Sequence, residues 1–436
     1  MSKRIVIILV LSLLAVVGCN KATRGLSPDG YANQGTKVAS ESAALSPYEQ
    51  KEKLEDTGKE LIEELDVDNW TPTADFMSAL GEHFAELDED AFYAFEEWSE
   101  EIEDQLLNVK KRDAKLTMRV TYALSKLQKG RFVEEDGEFV FKEGGLNLQV
   151  ITYVDGKKVT ITMTNGIESK EYEVYSEHWK ASNDWEKRYY DGEGYSEWDE
   201  TVSIKIPAWV NIEIKEGLAT KVNWKVNFSF RDSDGNGKIE LEKDAADIST
   251  ELKFADYCIT EYEKYSSSKG VGHAKAGYVI SRGLKTLVSA GAEGDIEIDG
   301  SMEDSYKGTL PKNVKCAVDV LGKVQAKGTL DYEKVMYVSE KLDRYATEKE
   351  AEKYAKELEK SIDVAIYYDR KSGRQAWFGV EPVWNERNGW NYTPVVRFAD
   401  DSSYGLGEFF NQDDFQSLLA AMNDWAEDVA YYFSAY

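Results

Sequence analysis

The sequence predicts an α+β fold: N-terminal helices, a large curved antiparallel β-sheet of hairpins, helices packed on that sheet, and a C-terminal amphipathic helix. Three observations lead to this prediction. Apolar residues recur at three- and four-residue spacing near both ends of the chain, the period changes to two from about residue 115, and Asp155-Gly156 separates two alternating segments. Runs of helices followed by runs of strands are typical of α+β proteins.

These periods divide the chain after the first nineteen residues into five segments: a flexible tether at 20–45, a helical segment at 46–108, an antiparallel meander at 115–330, helices at 331–360, and strands with a closing helix at 361–436. The last four segments, residues 46–436, are expected to form one extended domain.

The first helix begins at the motif S-P-Y-E, which starts at Ser46. This motif supplies a capping hydroxyl, a proline at the first helical position and a glutamate three residues after the cap. A helix to about Leu65 is therefore expected. Thr71-Pro72 repeats the start signal for a second helix, and Asp88 or Asp90 starts a third.

The meander contains a clear hairpin, in which Asp155-Gly156 forms a two-residue turn. With that turn, Leu148 faces Met163 and the intervening pairs place apolar residues on one face. Further along, residues 202–214 alternate strictly, but Pro207 lies on the polar side and predicts an edge strand or a break into two shorter strands.

Later strands are expected around 251–265, 271–290, 293–299 and 314–330, where glycines indicate bulges or close approach of neighbouring strands. The helices at 331–360 are interrupted near Thr347, which forms a second capping box with Glu350. Three more strands precede the closing helix, which follows Asn411.

The first nineteen residues are typical of a bacterial export signal. Lys3 and Arg4 precede an apolar run from Ile5 to Val17, which is too short to span a bilayer comfortably. The end of this segment, A-V-V-G-C, resembles the lipobox of bacterial lipoproteins, which implies that Cys19 is lipidated. An ordinary cleaved signal with a chance cysteine is the alternative.

Residues 20–45 are small, polar and aperiodic, as in a tether between an anchor and a folded body. The expected location is the cell envelope, with the protein anchored to a membrane by lipid. The periplasmic face of an outer membrane is favoured over surface exposure.

The formal net charge of −28 excludes one class of partner. An acidic surface repels the phosphate backbone, so binding to nucleic acid is not expected. Solubility is the simplest role of this charge.

The order of lipobox, tether, helices, long meander and closing aromatic helix resembles that of uncharacterised lipoproteins of Bacteroidota envelopes. The resemblance implies an envelope protein of unknown role and implies no site residues.

The segment D-S-D-G-N-G-K, from Asp232 to Lys238, matches the first half of a calcium loop. Asp232, Asp234, Asn236 and the Lys238 carbonyl would supply alternating oxygens. Lys243, however, stands where the loop requires a bidentate glutamate, and strands flank the segment on both sides. An acidic hairpin turn is the first interpretation, and a weak Ca²⁺ site is the second.

Two cysteines follow Cys19 in the chain, Cys258 and Cys316. An even number in an oxidising compartment permits a disulfide between them, with buried free thiols as the alternative. Their spacing indicates neither zinc nor haem.

A polar segment at residues 176–200 is crowded with aromatic residues that follow no period. Aromatic planes beside carboxylates suit stacking on sugar rings, which makes this segment a candidate binding surface. Packing of the rings across a long hairpin is the alternative. The residues concerned are Trp179, Trp185, Tyr190 and Trp198.

These observations lead to three functional hypotheses. The first is a non-enzymatic envelope lipoprotein that binds an apolar ligand, a glycan or a protein partner. The second is an enzyme acting on glycosides through a carboxylate pair that the sequence does not single out. The third is a purely structural lipoprotein. No catalytic residue is predicted.

Overall fold

The structure is a computed structural model of the chain. It describes residues 44–87, 89–94, 129–145, 147–166, 171–178, 198–205, 208–232, 244–268, 271–297, 312–339, 346–369, 373–386, 389–411 and 413–434.

The two predicted N-terminal helices are confirmed. Helix α1 spans Pro47–Glu64, and the hydroxyl of Ser46 accepts a hydrogen bond from the Glu49 amide while the Glu49 carboxylate accepts one from Ser46. This reciprocal capping box satisfies two backbone donors at the helix start. Helix α2 spans Thr71–Glu86. Of the third predicted helix, the structure describes a 3₁₀ turn at Glu89–Phe92 and residues up to 94.

Eighteen strands are present in the described residues. Their bounds are β1 Gly130–Glu135, β2 Glu138–Glu143, β3 Leu148–Val154, β4 Lys157–Asn165, β5 Glu171–His178, β6 Trp198–Lys205, β7 Trp209–Glu216, β8 Ala219–Arg231, β9 Ala245–Phe254, β10 Tyr257–Ser268, β11 Val271–Arg282, β12 Lys285–Glu297, β13 Lys312–Val320, β14 Val324–Leu330, β15 Ile362–Tyr368, β16 Ala376–Asn385, β17 Gly389–Phe398 and β18 Ser403–Gly405.

Four further helices lie in the last quarter of the chain: α3 Tyr332–Ser339, α4 Glu348–Ser361, α5 Leu406–Phe409 and α6 Gln416–Ser434. The capping box at the start of α4 is confirmed, because Thr347 and Glu350 exchange hydrogen bonds between side chain and backbone. The predicted closing helix is α6.

The hairpin of β3 and β4 has the predicted register, with Leu148 opposite Met163 and Val154 opposite Lys157. Asp155 and Gly156 both have positive φ, at 50° and 74°, as a type I′ turn requires. The break predicted at Pro207 is also confirmed, because β6 ends at Lys205 and β7 begins at Trp209.

Glycines bring neighbouring strands close together, as their sequence positions predicted. Gly277 of β11 stands opposite Gly291 of β12, and a Cβ atom on Gly277 would lie 2.3 Å from the Ala290 carbonyl oxygen. A Cβ on Gly328 of β14 would lie 1.9 Å from the Asp363 carbonyl oxygen. Both positions therefore require glycine.

The chain divides into two compact units, whereas the sequence suggested one domain. Of the described residues, the first unit comprises those within Met1–Ala74, Lys253–Tyr265 and Gly270–Tyr436, and the second comprises those within Asp75–Leu252 and Ser266–Lys269. The large sheet has sixteen strands: β18-β17-β16-β15-β14-β13-β12-β11-β10, mostly of the first unit, and β9-β8-β7-β4-β3-β1-β2, mostly of the second. The strand pairs are antiparallel in the registers described, apart from β1 with β3. Strands β5 and β6 form a separate pair.

In the second unit, helix α2 packs on the apolar face of the sheet. Phe76 and Leu80 of α2 contact Val154 and Val159 of the hairpin. Farther along α2, Phe84 joins a cluster that contains Phe132, Phe139 and Leu148. The apolar side chains of helix and sheet pack against one another there.

In the first unit, helices lie on both faces of the sheet. Leu54 of α1 packs on a cluster that includes Ile366, Tyr368 and Phe398, so α1 lies on the apolar face. Helix α4 lies on the opposite face, where its Glu359 binds Arg397 of β17, with Nη2 to Oε1 at 2.7 Å. Helix α3 contacts β13 and packs against α4.

Candidate functional site

The predicted anchor and most of the predicted aromatic surface lie outside the described residues. These residues are Cys19, Trp179, Trp185 and Tyr190. Trp198 is the first residue of β6, where its backbone pairs with His178, but its side chain is outside the described part of the chain. The aromatic surface therefore stays a prediction.

The predicted calcium loop is described only at its first residue. Asp232 directly follows strand β8, so the strand expected before the loop is confirmed. Asp234, Asn236 and Lys238 lie outside the described residues. Among the residues that are described, no three His, Cys, Asp or Glu side chains are grouped as metal ligands would be.

The disulfide considered between Cys258 and Cys316 is not formed. Cys258 lies on β10 and Cys316 on β13, and the strand order places β11 and β12 between them. Three strand spacings amount to about 14 Å, whereas a disulfide needs Cα atoms less than about 7 Å apart. Burial raises the pKa of the Cys316 thiol, which further lowers its reactivity at neutral pH.

The first unit has a cluster of buried and half-buried polar side chains that sequence reasoning did not single out. It lies on the face of β11 to β15 opposite the one that α1 covers, and we call it the polar face. Its residues occupy successive cross-strand rows of the sheet. They are Lys275, Glu293, Lys315, Ser289, Asp319, Gln325, Lys327 and Tyr367.

At one end of the polar face, Glu293 stands between two lysines on neighbouring strands. Its carboxylate lies 3.0 Å from Lys275 Nζ and 2.9 Å from Lys315 Nζ. The Glu293 side chain is only 5% exposed. Burial favours the neutral carboxyl group, but the two ammonium groups outweigh this effect and hold the pKa of Glu293 below its ordinary value. This arrangement fixes three strands through one buried anion.

Two rows away, Ser289, Asp319 and Gln325 stand opposite one another on β12, β13 and β14. The Gly322 amide donates to Asp319 Oδ1 at 2.7 Å, and Gln325 Nε2 donates to Asp319 Oδ2 at 2.7 Å. The amide of Gln325 is thereby oriented, with its nitrogen toward Asp319.

Between these rows, the Lys327 ammonium lies 4.2 Å from the centre of the Tyr367 ring. Cation–π contact of this kind stabilises a desolvated ammonium group. Burial lowers the pKa of Lys327, and the nearby Asp319 carboxylate opposes that shift.

Two atoms of the polar face have no hydrogen-bond partner. They are Ser289 Oγ and Gln325 Oε1, and both residues are 1% exposed. Buried polar atoms are nearly always paired with protein or water. Gln50 Oε1, Arg374 Nε and the Tyr392 hydroxyl are unpartnered in the same way, but the polar face holds two such atoms in one row, and it is the candidate binding site.

The second unit also has a polar cluster, formed by His83 of α2, Glu134 of β1 and Thr152 of β3. His83 Nε2 lies 2.8 Å from Glu134 Oε2 and 2.8 Å from Thr152 Oγ1, and Thr152 donates a hydrogen bond to the same carboxylate oxygen. In a hydrolase triad, the acid and the nucleophile meet different ring nitrogens. Here both meet Nε2, so the cluster is a hydrogen-bonded link within a helix–sheet interface.

None of the described carboxyl groups with a shifted pKa shows the upward shift typical of the acid in glycoside hydrolysis. Such enzymes need one carboxyl group whose pKa is raised, so that it can donate a proton. Wherever a described Asp or Glu has a shifted pKa, the shift is downward. For Glu134, burial raises the pKa, but hydrogen bonds from Thr152 and His83 outweigh that effect and lower the pKa overall.

Comparison of the chain with known protein families and with curated proteins finds no match. Among the described helices, none is both long and apolar enough to cross a membrane.

Proposed function

We propose that the protein is a lipid-anchored binding protein of a bacterial cell envelope, and that its ligand is polar. The lipobox at Cys19 supports the anchor. Residues 20–45 would act as the tether to the folded units, and the membrane face is expected to be the periplasmic side of an outer membrane. We also propose that the large sheet is curved, as the sequence predicts.

The observation that carries the binding role is the pair of unpartnered buried atoms, Ser289 Oγ and Gln325 Oε1. A purely structural protein gains nothing from them, because an unpaired buried polar group costs about 1–3 kcal/mol of folding stability. A ligand that pairs with both atoms would offset this cost.

Of the three ligand classes expected from the sequence, the apolar one is the least favoured. In each unit, helix side chains pack against the apolar face of the sheet, with Leu54 in the first and Phe76 and Leu80 in the second. An apolar ligand needs an unfilled apolar cavity. A glycan is the preferred class, since its hydroxyl groups match the unpaired atoms.

Metabolic labelling with an alkyne analogue of palmitate tests the anchor. The full chain should be labelled and should fractionate with membranes, and Cys19→Ala should lose both properties. A matched control is Cys258→Ala, which should keep them. Labelling that persists in Cys19→Ala would overturn the lipid-anchor part of the proposal.

Native mass spectrometry of the protein released gently from its membrane tests the binding role. The expected result is a second species, heavier than the lipidated chain, that disappears on denaturation. A single species under all gentle conditions would instead support a structural protein.

A further inference from the structure

Two tryptophans stand together on the hairpin of β16 and β17, in the first unit. Trp384 and Trp390 are directly opposite each other in the register of these strands, and their ring centroids lie 5.5 Å apart with the ring planes at 67°. Trp384 is 52% exposed, more than any other described tryptophan. Contact between the rings stabilises the hairpin, but it leaves about half of Trp384 in contact with water.

Helix α4 holds the base of this hairpin in place. The Glu359 carboxylate accepts a hydrogen bond from the Val380 amide of β16 and two from the Arg397 guanidinium of β17, at 3.0 Å from Nε and 2.7 Å from Nη2. One side chain therefore fixes both strands. The tryptophan pair is thus preorganised, which reduces the entropy that a ligand would lose on binding to it.

The polar residues beside the pair indicate a neutral, partly polar ligand. Asn385 and Asn391 follow the two tryptophans in sequence and are exposed. Glu386 and Arg387 come next after Asn385, and their formal charges cancel. A lipid bilayer or a wholly apolar partner would desolvate these polar groups at a cost. An anion would be repelled by a chain whose formal net charge is −28.

The geometry of the rings also disfavours a cation. An aromatic cage holds an ammonium group between ring faces, with each ring centroid up to about 6 Å from the charge. Here the edge of one ring meets the face of the other, and a separation of 5.5 Å between centroids leaves no space for an ammonium group between them. A neutral ligand with a flat apolar face and hydroxyl groups at its edge fits these conditions.

We infer that the tryptophan pair Trp384–Trp390 is a binding platform for a neutral saccharide. The C–H groups on the face of a sugar ring suit the electron-rich face of an indole ring. The ring hydroxyls can donate to and accept from the amide groups of Asn385 and Asn391. The inference goes beyond the proposed function, because this site is separate from the polar face and does not depend on the lipid anchor.

Titration calorimetry on the full chain tests the inference, in a detergent without a sugar head group. The probes are maltotetraose, cellotetraose, xylotetraose and tetra-N-acetylchitotetraose, with tetragalacturonate as an anionic saccharide and choline as a cation. We expect at least one neutral tetrasaccharide to bind wild type, and Trp384→Ala to weaken that binding at least tenfold, as truncation of a tryptophan anchor does. Neither tetragalacturonate nor choline should bind at this site.

Trp224→Ala is the matched control, because Trp224 is also exposed, at 42%, but lies on β8 of the second unit. It should bind the saccharide as wild type does. Trp384→Tyr keeps an aromatic ring opposite Trp390, so it should lose less affinity than Trp384→Ala. Thermal unfolding of each variant separates lost binding from lost folding, and Trp384→Tyr keeps the test valid if Trp384→Ala is unfolded.

Four outcomes would overturn the inference. Equal saccharide binding by wild type and Trp384→Ala would place the saccharide elsewhere and leave the proposed function standing. No binding of any neutral tetrasaccharide at millimolar concentration would exclude the platform, while a ligand seen by native mass spectrometry would still support the proposed function. Choline binding that Trp384→Ala abolishes would replace the saccharide by a cation. A dimer in sedimentation that Trp384→Ala dissociates would show that the pair joins two copies of the chain.

Discussion

In the second unit, the buried hydroxyl of Thr152 has two partners, whereas in the first unit the equally buried hydroxyl of Ser289 has none. Thr152 donates to Glu134 and lies against His83, so each polar group of that cluster is paired within the chain. A buried polar cluster in which every group has a hydrogen-bond partner stabilises the fold and orients the helix and strands that carry it. A cluster with unpaired groups lowers the stability of the fold. The contrast separates a structural cluster from a candidate binding site.

The largest expected effect is that of Glu134→Ala, which removes the carboxylate shared by His83 and Thr152. Leaving partly buried partners without their anion should cost about 3 kcal/mol of unfolding free energy, measured by urea denaturation. The control is Glu135→Ala. Glu135 is exposed and pairs with Lys142 on the neighbouring strand, so its loss should cost about 0–1 kcal/mol. Equal losses in the two variants would show that the cluster is not structural.

Thr152→Val should have the next largest effect. Valine keeps the shape of threonine but removes the donor to Glu134, so a buried carboxylate loses one of its hydrogen bonds. A loss of about 1–3 kcal/mol is expected in the same urea experiment. If Thr152→Val were as stable as wild type, the pairing described for this cluster would not contribute to folding.

The third prediction concerns pH. The folded-state pKa of Glu134 lies below its unfolded value of about 4.3. Its carboxylate therefore stabilises the fold above pH 4.3, and this contribution is lost as the pH falls through the folded-state pKa. The stability difference between wild type and Glu134→Gln should shrink between pH 7 and pH 3. A difference that stays constant over this range would contradict an ionised Glu134 in the cluster.

Local signals predicted much of the fold. The Asp155-Gly156 turn fixed the register from Leu148 to Met163, and both capping boxes marked helix starts correctly. Each of these features depends on residues only a few positions apart, so a single sequence contains the whole signal.

The polar face could not be predicted in the same way. Strand β13 has Lys315 and Asp319 on one side and Cys316 and Val318 on the other, a pattern typical of a strand with one solvated face. Asp319 is nevertheless only 3% exposed. Helices α3 and α4 also lie on this side of the first unit's sheet, and their docking depends on contacts distant in sequence.

The smallest expected effect is the one that tests the comparison most sharply. Ser289→Ala removes a buried hydroxyl that has no partner, so no hydrogen bond is lost and a desolvation cost is relieved. The unfolding free energy should therefore stay within about 0.5 kcal/mol of wild type or increase, although the site is as buried as Thr152. A loss as large as that of Thr152→Val, measured without added ligand, would mean that Ser289 is paired in the free protein, and the two clusters would then be equivalent.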